Sequence, residues 1–184
     1  LKQNSTNLGI AHTRWATHGA PSEKNAHPQT SKDIFVVHNG IIENHEELKA
    51  SLRSEGFRFS SQTDSEVIAH LVQYYIEKGQ SFEKAVFNSV KRLKGAYALG
   101  ILNEREPEQL IGIRNQSPLV LGKGFQENFI ASDVMALAPA TNKFVYLEDG
   151  QAAIMNKSMV DVRSARNQKV RTKTHEIDTN SYTT

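Results

Sequence analysis

The hydrophobic pattern of the chain changes from helical to strand-like near Ala96, and this change limits the fold class. Before it, apolar residues recur at helical spacing in the segments 44–55, 63–79 and 81–94. After it, short apolar runs are separated by Gly, Pro, Asn or charged residues, which is typical of antiparallel strands joined by hairpins: 97–102, 110–114, 119–122, 129–131, 144–147, 152–156 and 159–162. Helices followed by antiparallel strands predict a layered α+β domain.

The first forty residues predict less regular structure. Residues 8–13 have the composition of a short strand, and the Gly-, Pro- and Asn-containing segment 15–33 is typical of a long, functional loop. The β-branched run Ile34 to His38 indicates a buried strand. A short helix is expected near 134–138. Asn44 with Glu47, and Thr63 with Glu66, have the spacing of capping boxes at the starts of two helices.

Composition excludes several classes of function. Lys and Arg number 22 and Asp and Glu number 20, so the net charge of +2 gives no reason to expect a nucleic-acid partner. No apolar run approaches the ~20 residues of a membrane span. The absence of cysteine excludes disulfides and thiolate metal sites within these residues. No His pair has the i, i+4 spacing of a zincin, so neither a metal nor a cofactor is expected.

Polar side chains are densest in the segment His12-Thr13-Arg14-Trp15-Ala16-Thr17-His18-Gly19, where a predicted strand gives way to a loop. An arginine there can hold a carboxylate through a bidentate fork, which contributes about 1.5–3 kcal/mol. Thr17 and the loop N–H groups add donors, and Trp15 can cover a ligand. A structural arginine beside a core tryptophan explains the same residues equally well.

Two other clusters have both a chemical and a structural interpretation. An Asn39 amide beside the Gly40 N–H can form an oxyanion hole, although Asn-Gly is also the commonest hairpin turn. Asp64 can accept hydrogen bonds from a ligand ammonium, although the segment Thr63-Asp64-Ser65-Glu66 is also explained by helix capping. Taken alone, each pattern favours the structural interpretation.

The chain nevertheless resembles a known family over nearly its whole length, from about Gly9 to about Ile177. The likeness is carried by separate motifs in the same order: 12–19, Asn25-Ala26-His27-Pro28, Val37-His38-Asn39-Gly40-Ile41-Ile42-Glu43-Asn44, 63–68, Lys94-Gly95-Ala96-Tyr97, Ser117-Pro118-Leu119-Val120 and 128–133. They resemble the glutaminase domain of the glutamine–fructose-6-phosphate aminotransferase (isomerizing) family, the glucosamine-6-phosphate synthases. These are class II, N-terminal-nucleophile amidotransferases.

The resemblance implies an N-terminal-nucleophile hydrolase fold, a four-layer αββα sandwich of antiparallel sheets that is incomplete at the N-terminus. It implies a glutaminase domain over 1–177, with 178–184 starting a linker to a sugar-isomerase domain of the same polypeptide. The implied partners are L-glutamine, that second domain and, in the intact protein, a second copy in a homodimer. The implied location is the cytoplasm, with no nucleic-acid or membrane partner.

The resemblance also implies roles for single residues. Arg14 would hold the α-carboxylate of glutamine and Asp64 its α-ammonium. Asn39 and the Gly40 N–H would form the oxyanion hole. The other substrate-binding positions implied are Trp15, Thr17 and His18.

The family's nucleophile is an N-terminal cysteine, and these 184 residues contain none. We therefore expect the isolated chain to be inactive and to represent a domain without its N-terminal segment. Two alternatives remain open at this stage. The chain is part of another class II amidotransferase, or it is a non-catalytic amino-acid-binding module that has Arg14 and Asp64 without a nucleophile.

Overall fold

In the computed structural model, residues 7–14 and 19–178 are described. Three α-helices follow one another in the first half of the chain: α1 (His45–Ser54), α2 (Glu66–Glu77) and α3 (Phe82–Val90). Short 3₁₀ turns lie at Glu23–Asn25 and Val134–Ala136. None of the described helices is long and apolar enough to cross a membrane.

The described strands, in chain order, are β1 (Gln29–Ser31), β2 (Ile34–Gly40), β3 (Tyr97–Asn103), β4 (Leu110–Asn115), β5 (Val120–Lys123), β6 (Asn128–Ala131), β7 (Lys143–Tyr146), β8 (Gln151–Met155), β9 (Val160–Arg163) and β10 (His175–Glu176). They form a six-stranded sheet in the order β1-β2-β3-β4-β8-β9 and a four-stranded sheet in the order β10-β7-β5-β6. Every neighbouring pair of these strands is antiparallel.

Alternation along the strands of the six-stranded sheet produces two apolar faces. One face packs against the three helices through residues such as Val36, Leu99 and Ile101. The opposite face packs against Leu121 and Val145 of the four-stranded sheet. The outer face of the four-stranded sheet is apolar too, and buries the side chains Val120, Leu137 and Phe144 together.

Leu137 directly follows the 3₁₀ turn at Val134–Ala136, so this short segment covers the outer face of the four-stranded sheet. The layer order is therefore helix, sheet, sheet and a reduced helical layer, which agrees with the predicted αββα arrangement. The predicted helix near 134–138 is this 3₁₀ turn.

Two paired glycines bring the sheets close together. Gly100 on β3 faces Gly112 on β4. A Cβ atom at Gly100 would lie 3.1 Å from the Cδ1 atom of Ile130, and one at Gly112 would lie 3.2 Å from its Cγ2 atom. Both glycines thus make room for Ile130 of the other sheet, which lines the cavity described below.

Some predictions of local structure are wrong. Residues 8–13 form no strand, although Leu8 and Ile10 pack against the apolar core between the sheets. The segment predicted as loop contains β1, which pairs with β2. Helix α2 begins at Glu66 rather than at Thr63 and has no side-chain cap.

The capping box predicted at Asn44 is also absent. The side chain of Asn44 makes no cap hydrogen bond to α1. Its Nδ2 atom instead donates to the Arg92 carbonyl oxygen at 2.9 Å, and its Oδ1 atom accepts from the Lys94 N–H at 3.0 Å. A tertiary contact with the loop after α3 therefore takes the place of the local cap.

Candidate active site

A cavity of about 870 Å³ opens where β2 ends, within the size range of ligand pockets. Its apolar part is lined by side chains from both sheets, among them Val37 and Ile130, and by Leu119, which directly precedes β5. Its polar part is lined by four of the residues that the sequence singled out: Arg14, Asn39, Gly40 and Asp64. The remaining three candidates, Trp15, Thr17 and His18, lie outside the described residues.

Asn39 and Gly40 are the last two residues of β2 and do not form a hairpin turn. They pair with Ala98 and Tyr97 of β3. Gly40 has φ +118°, and a Cβ atom there would overlap the carbonyl oxygen of Ala96. Glycine is needed at this position because the connection that leads into β3 passes close to the Gly40 backbone. Since Asn39 and Gly40 lie in a paired strand, the hairpin interpretation is wrong.

The side chain of Asn39 is held by His12. The His12 Nε2 atom lies 2.6 Å from Asn39 Oδ1, and His12 Nδ1 accepts a hydrogen bond from the Arg14 N–H at 2.9 Å. Since Nδ1 is the acceptor, the ring proton of neutral His12 is on Nε2 and is donated to Asn39 Oδ1. The Nδ2 group of Asn39 is therefore on the side of the amide that faces away from His12.

Arg14 has a left-handed backbone, with φ +53°. Its guanidinium donates to the carbonyl oxygens of Gly19 at 3.1 Å and Ala20 at 3.3 Å, across the segment that follows it. Buried Asn25 donates to the same Ala20 oxygen at 2.9 Å and accepts from the Gln62 N–H at 2.8 Å. These bonds connect the segment around Arg14 to the one that leads into Asp64.

Asp64 is buried, and its Oδ2 atom accepts from the Ile42 N–H at 2.8 Å rather than from an N–H of α2. The helix-capping interpretation is therefore wrong for Asp64. The bond joins the start of α2 to the residue two positions after Gly40, on the connection that follows β2. It brings the carboxylate to the same end of the cavity as Asn39.

Glu66 fixes the segment that precedes Asp64. Its carboxylate accepts hydrogen bonds from the N–H and hydroxyl groups of Ser60 and Ser61, at 2.7–3.0 Å. Burial alone would raise the pKa of Glu66, but the His70 Nε2 atom, 3.4 Å from its Oε1 atom, and hydrogen bonds from Ser60 and Ser61 outweigh burial and lower the pKa to about 2. The carboxylate is thus ionised at physiological pH and accepts these hydrogen bonds from Ser60 and Ser61 throughout that range.

Ser65 joins two further cavity residues, which the sequence raised only as possible metal ligands and not as part of a glutamine site. Its Oγ atom lies 2.9 Å from His38 Nδ1 and 3.1 Å from His27 Nε2. Burial, and then the positive charges that His12 and His38 would carry, lower the pKa of His27 to about 4, so His27 is neutral at pH 7. The rings of His27 and His12 are in contact, with centroids 4.3 Å apart.

The rings of His12, His27 and His38 therefore form a group that lines the cavity, connected by one tilted ring contact and by the shared Ser65 hydroxyl. Within the described residues, no set of three His, Asp or Glu side chains is arranged to hold a metal ion. The signals for His12, His27 and Ser65 were present in the sequence, since all three lie inside the motifs quoted above. Their positions relative to Asn39 and Asp64 depend on the fold.

Residues 12–139, more than half of the chain, match the sequence profile of the glutamine amidotransferase domain family. The chain belongs to this family. Its curated relatives include the glutamine–fructose-6-phosphate aminotransferase (isomerizing) of Acinetobacter baylyi, which is 51% identical over 174 residues. The enzyme of the same name from Haemophilus influenzae is 51% identical over 168 residues, and that of Escherichia coli K12 is 52% identical over 154 residues.

The amidotransferase domain described here is only part of those relatives. The match covers 95% of this chain and 28% of the Acinetobacter enzyme, and 84% of this chain and 25% of the Escherichia coli enzyme. The chain thus spans about a quarter of the length of these relatives.

Solved structures agree with the fold. The glutamine phosphoribosylpyrophosphate amidotransferase from B. subtilis, complexed with ADP and GMP, superposes with a TM-score of 0.70. It is 27% identical, and the match covers 84% of this chain and 34% of that one. A class II glutamine aminotransferase domain protein from Silicibacter pomeroyi has a TM-score of 0.54 at 16% identity, which supports the fold alone. The N-terminal-nucleophile hydrolase fold predicted from the sequence is confirmed.

Proposed function

We propose that this chain is the glutamine-hydrolysing domain of an enzyme that makes glucosamine 6-phosphate and glutamate from fructose 6-phosphate and glutamine. The observation that carries the proposal is the shared cavity. Arg14, Asn39 and Asp64 line one hollow in a chain whose relatives of that name are 51–52% identical. The phosphoribosylpyrophosphate amidotransferase is only 27% identical to the chain. The alternative, that the chain belongs to another class II amidotransferase, therefore has less support.

In this proposal the two charged ends of glutamine are bound by opposite charges. Arg14 binds the α-carboxylate, since a guanidinium has five donors and can bond to loop carbonyls and to a ligand together. Buried Asp64 binds the α-ammonium. The other positions assigned to glutamine by resemblance, outside the described residues, are Trp15, Thr17 and His18.

The side-chain amide of glutamine then lies between Asn39 and the nucleophile. The thiolate of the family's N-terminal cysteine attacks the amide carbon, and the developing oxyanion accepts hydrogen bonds from Asn39 Nδ2 and the Gly40 N–H. The amide nitrogen takes a proton from the α-amino group of the same cysteine, the role that the resemblance implies for it, and ammonia leaves as the tetrahedral intermediate collapses to a thioester. Water then hydrolyses the thioester to glutamate and restores the thiol. Because these 184 residues contain no cysteine, we expect no hydrolysis by the chain alone.

The intact protein would place this domain, 1–177, before a sugar-isomerase domain, with 178–184 in the linker between them. The shares of 25–28% of the relatives' length support a larger polypeptide. We further propose that the intact protein is a cytoplasmic homodimer.

The reaction is tested with the full-length protein that contains this chain. Incubation with fructose 6-phosphate and glutamine labelled with ¹⁵N in its side-chain amide should give ¹⁵N-labelled glucosamine 6-phosphate and unlabelled glutamate. Mass spectrometry detects both products. Glutamate formation without an aminated sugar phosphate would contradict the assigned acceptor but not the glutaminase activity.

The role of Asp64 is tested by Asp64→Asn, which is isosteric and retains an oxygen to accept from the Ile42 N–H. Loss of the negative charge removes a charge-assisted bond to the α-ammonium, about 1.5–3 kcal/mol, so the KM for glutamine should rise about 10–100-fold. Asp33→Asn is a matched control, because Asp33 pairs with exposed Arg105 and does not line the cavity. A wild-type KM in Asp64→Asn would refute the assignment.

A further inference from the structure

We propose that His12 is a positioning residue that sets both halves of the glutamine site through its two ring nitrogens. Its Nε2–H orients the amide of Asn39, and its Nδ1 fixes the backbone of Arg14. The inference rests on the proposed function, because Asn39 and Arg14 matter to catalysis only if glutamine is the substrate.

The first part of the inference concerns the direction of the Asn39 amide. The backbone of Asn39 is fixed by its pairing with Ala98, but its side chain is exposed and an amide can rotate by half a turn. Only one of the two orientations offers a donor to an oxyanion. The 2.6 Å bond from His12 to Asn39 Oδ1 selects that orientation, because the oxygen is bound to His12 and Nδ2 is on the opposite side.

The second part concerns Arg14. A left-handed backbone is unfavourable for a non-glycine residue, and Arg14 has φ +53°. The 2.9 Å bond from the Arg14 N–H to His12 Nδ1 stabilises this conformation within a two-residue turn. The same turn fixes the direction in which the Arg14 side chain leaves the backbone. It therefore determines where the guanidinium can bind a carboxylate.

The two bonds require one protonation state of His12. A neutral imidazole has one donor and one acceptor nitrogen, and here Nδ1 accepts and Nε2 donates. The other neutral tautomer and the imidazolium would each lose the bond to Arg14. The His27 ring contacts the His12 ring, with centroids 4.3 Å apart and planes inclined at 45°.

Two substitutions separate the two bonds in the full-length protein. His12→Asn places an amide oxygen near the Nδ1 position and removes the donor to Asn39. We expect the kcat of His12→Asn for glutamate release to fall about tenfold or more, because the oxyanion donor is partly lost. Its KM for glutamine should change by less than about threefold. His12→Gln places an amide N–H near the Nε2 position. Its kcat should stay within about threefold, and its KM should rise about 3–10-fold, the value of one hydrogen bond.

A double-mutant cycle distinguishes positioning from a general loss of structure. In an Asn39→Ala background, His12→Asn should lower kcat no further, because the amide it positions is gone. An equal loss of kcat in both backgrounds, or wild-type kinetics in both single variants, overturns the role of His12 and leaves the proposed function intact. A wild-type protein that releases no glutamate from glutamine overturns both.

Discussion

Replacement of Asn39 by aspartate is expected to lower the kcat of the proposed glutaminase reaction in the full-length protein by about 10²–10³, the effect of losing the proposed oxyanion donor. Aspartate has the shape of asparagine and keeps an oxygen that accepts from His12 Nε2. It has no N–H group to donate, and its negative charge opposes the oxyanion. The KM for glutamine should change little, because Arg14 and Asp64 would still bind the charged ends.

The measurement is glutamate release as a function of glutamine concentration. Asn88→Asp is the matched control, since Asn88 on α3 donates to Gln80 at 2.8 Å and does not line the cavity. The control should have wild-type kcat. A kcat within a few-fold of wild type in Asn39→Asp would show that Asn39 Nδ2 does not bind the oxyanion.

The sequence predicted the helices and most strands because their signals are local. The seven strands from β3 to β9 coincide with predicted apolar runs to within one residue at each end. Each has the apolar spacing that a buried sheet requires, independent of its partners. β1 and β10 are only three and two residues long, and such short strands exist because β2 and β7 pair with them.

The helix starts show why local patterns can mislead. Thr63 and Glu66 have the spacing of a capping box, yet Glu66 bonds to Ser60 and Ser61 and not to Thr63. Asn44 similarly bonds to the loop after α3. The partners of Asn44 come from a distant part of the chain, about which a local pattern contains no information. Those of Glu66 lie just before the helix, in a turn that competes with the cap for the same carboxylate.

The candidate site was predictable only from the combination of motifs. Taken alone, Asn39-Gly40 indicated a turn and Asp64 a helix cap, and both interpretations are wrong. The resemblance predicted that the residues share one site, and the shared cavity agrees with that expectation. The contact between His12 and Asn39 was not predictable, because it joins two motifs whose separation in space depends on the sheet.

The second large effect is expected at Gly40, where alanine should disrupt the end of β2. The new Cβ atom would overlap the backbone oxygen of Ala96, which has no rotamer to adopt, and lie 2.9 Å from Ser117 Oγ. Overpacking costs about 1–3 kcal/mol and the strained φ of +118° a further 1–3 kcal/mol. The β2–β3 pairing should therefore weaken by about 3 kcal/mol or more, and kcat should fall because Asn39 moves with it.

Hydrogen exchange of the β2 and β3 amides in the full-length protein measures this effect, and 3 kcal/mol corresponds to exchange about 100-fold faster. Gly79→Ala separates overlap from backbone strain, since Gly79 has φ +83° but no atom within 4 Å of the position that a Cβ atom would occupy. Gly79→Ala should lower the stability of the C-terminal end of α2 by only about 1–2 kcal/mol. Equal destabilisation by the two alanines would mean that φ alone, and not the approach of Ala96, requires glycine beside Asn39.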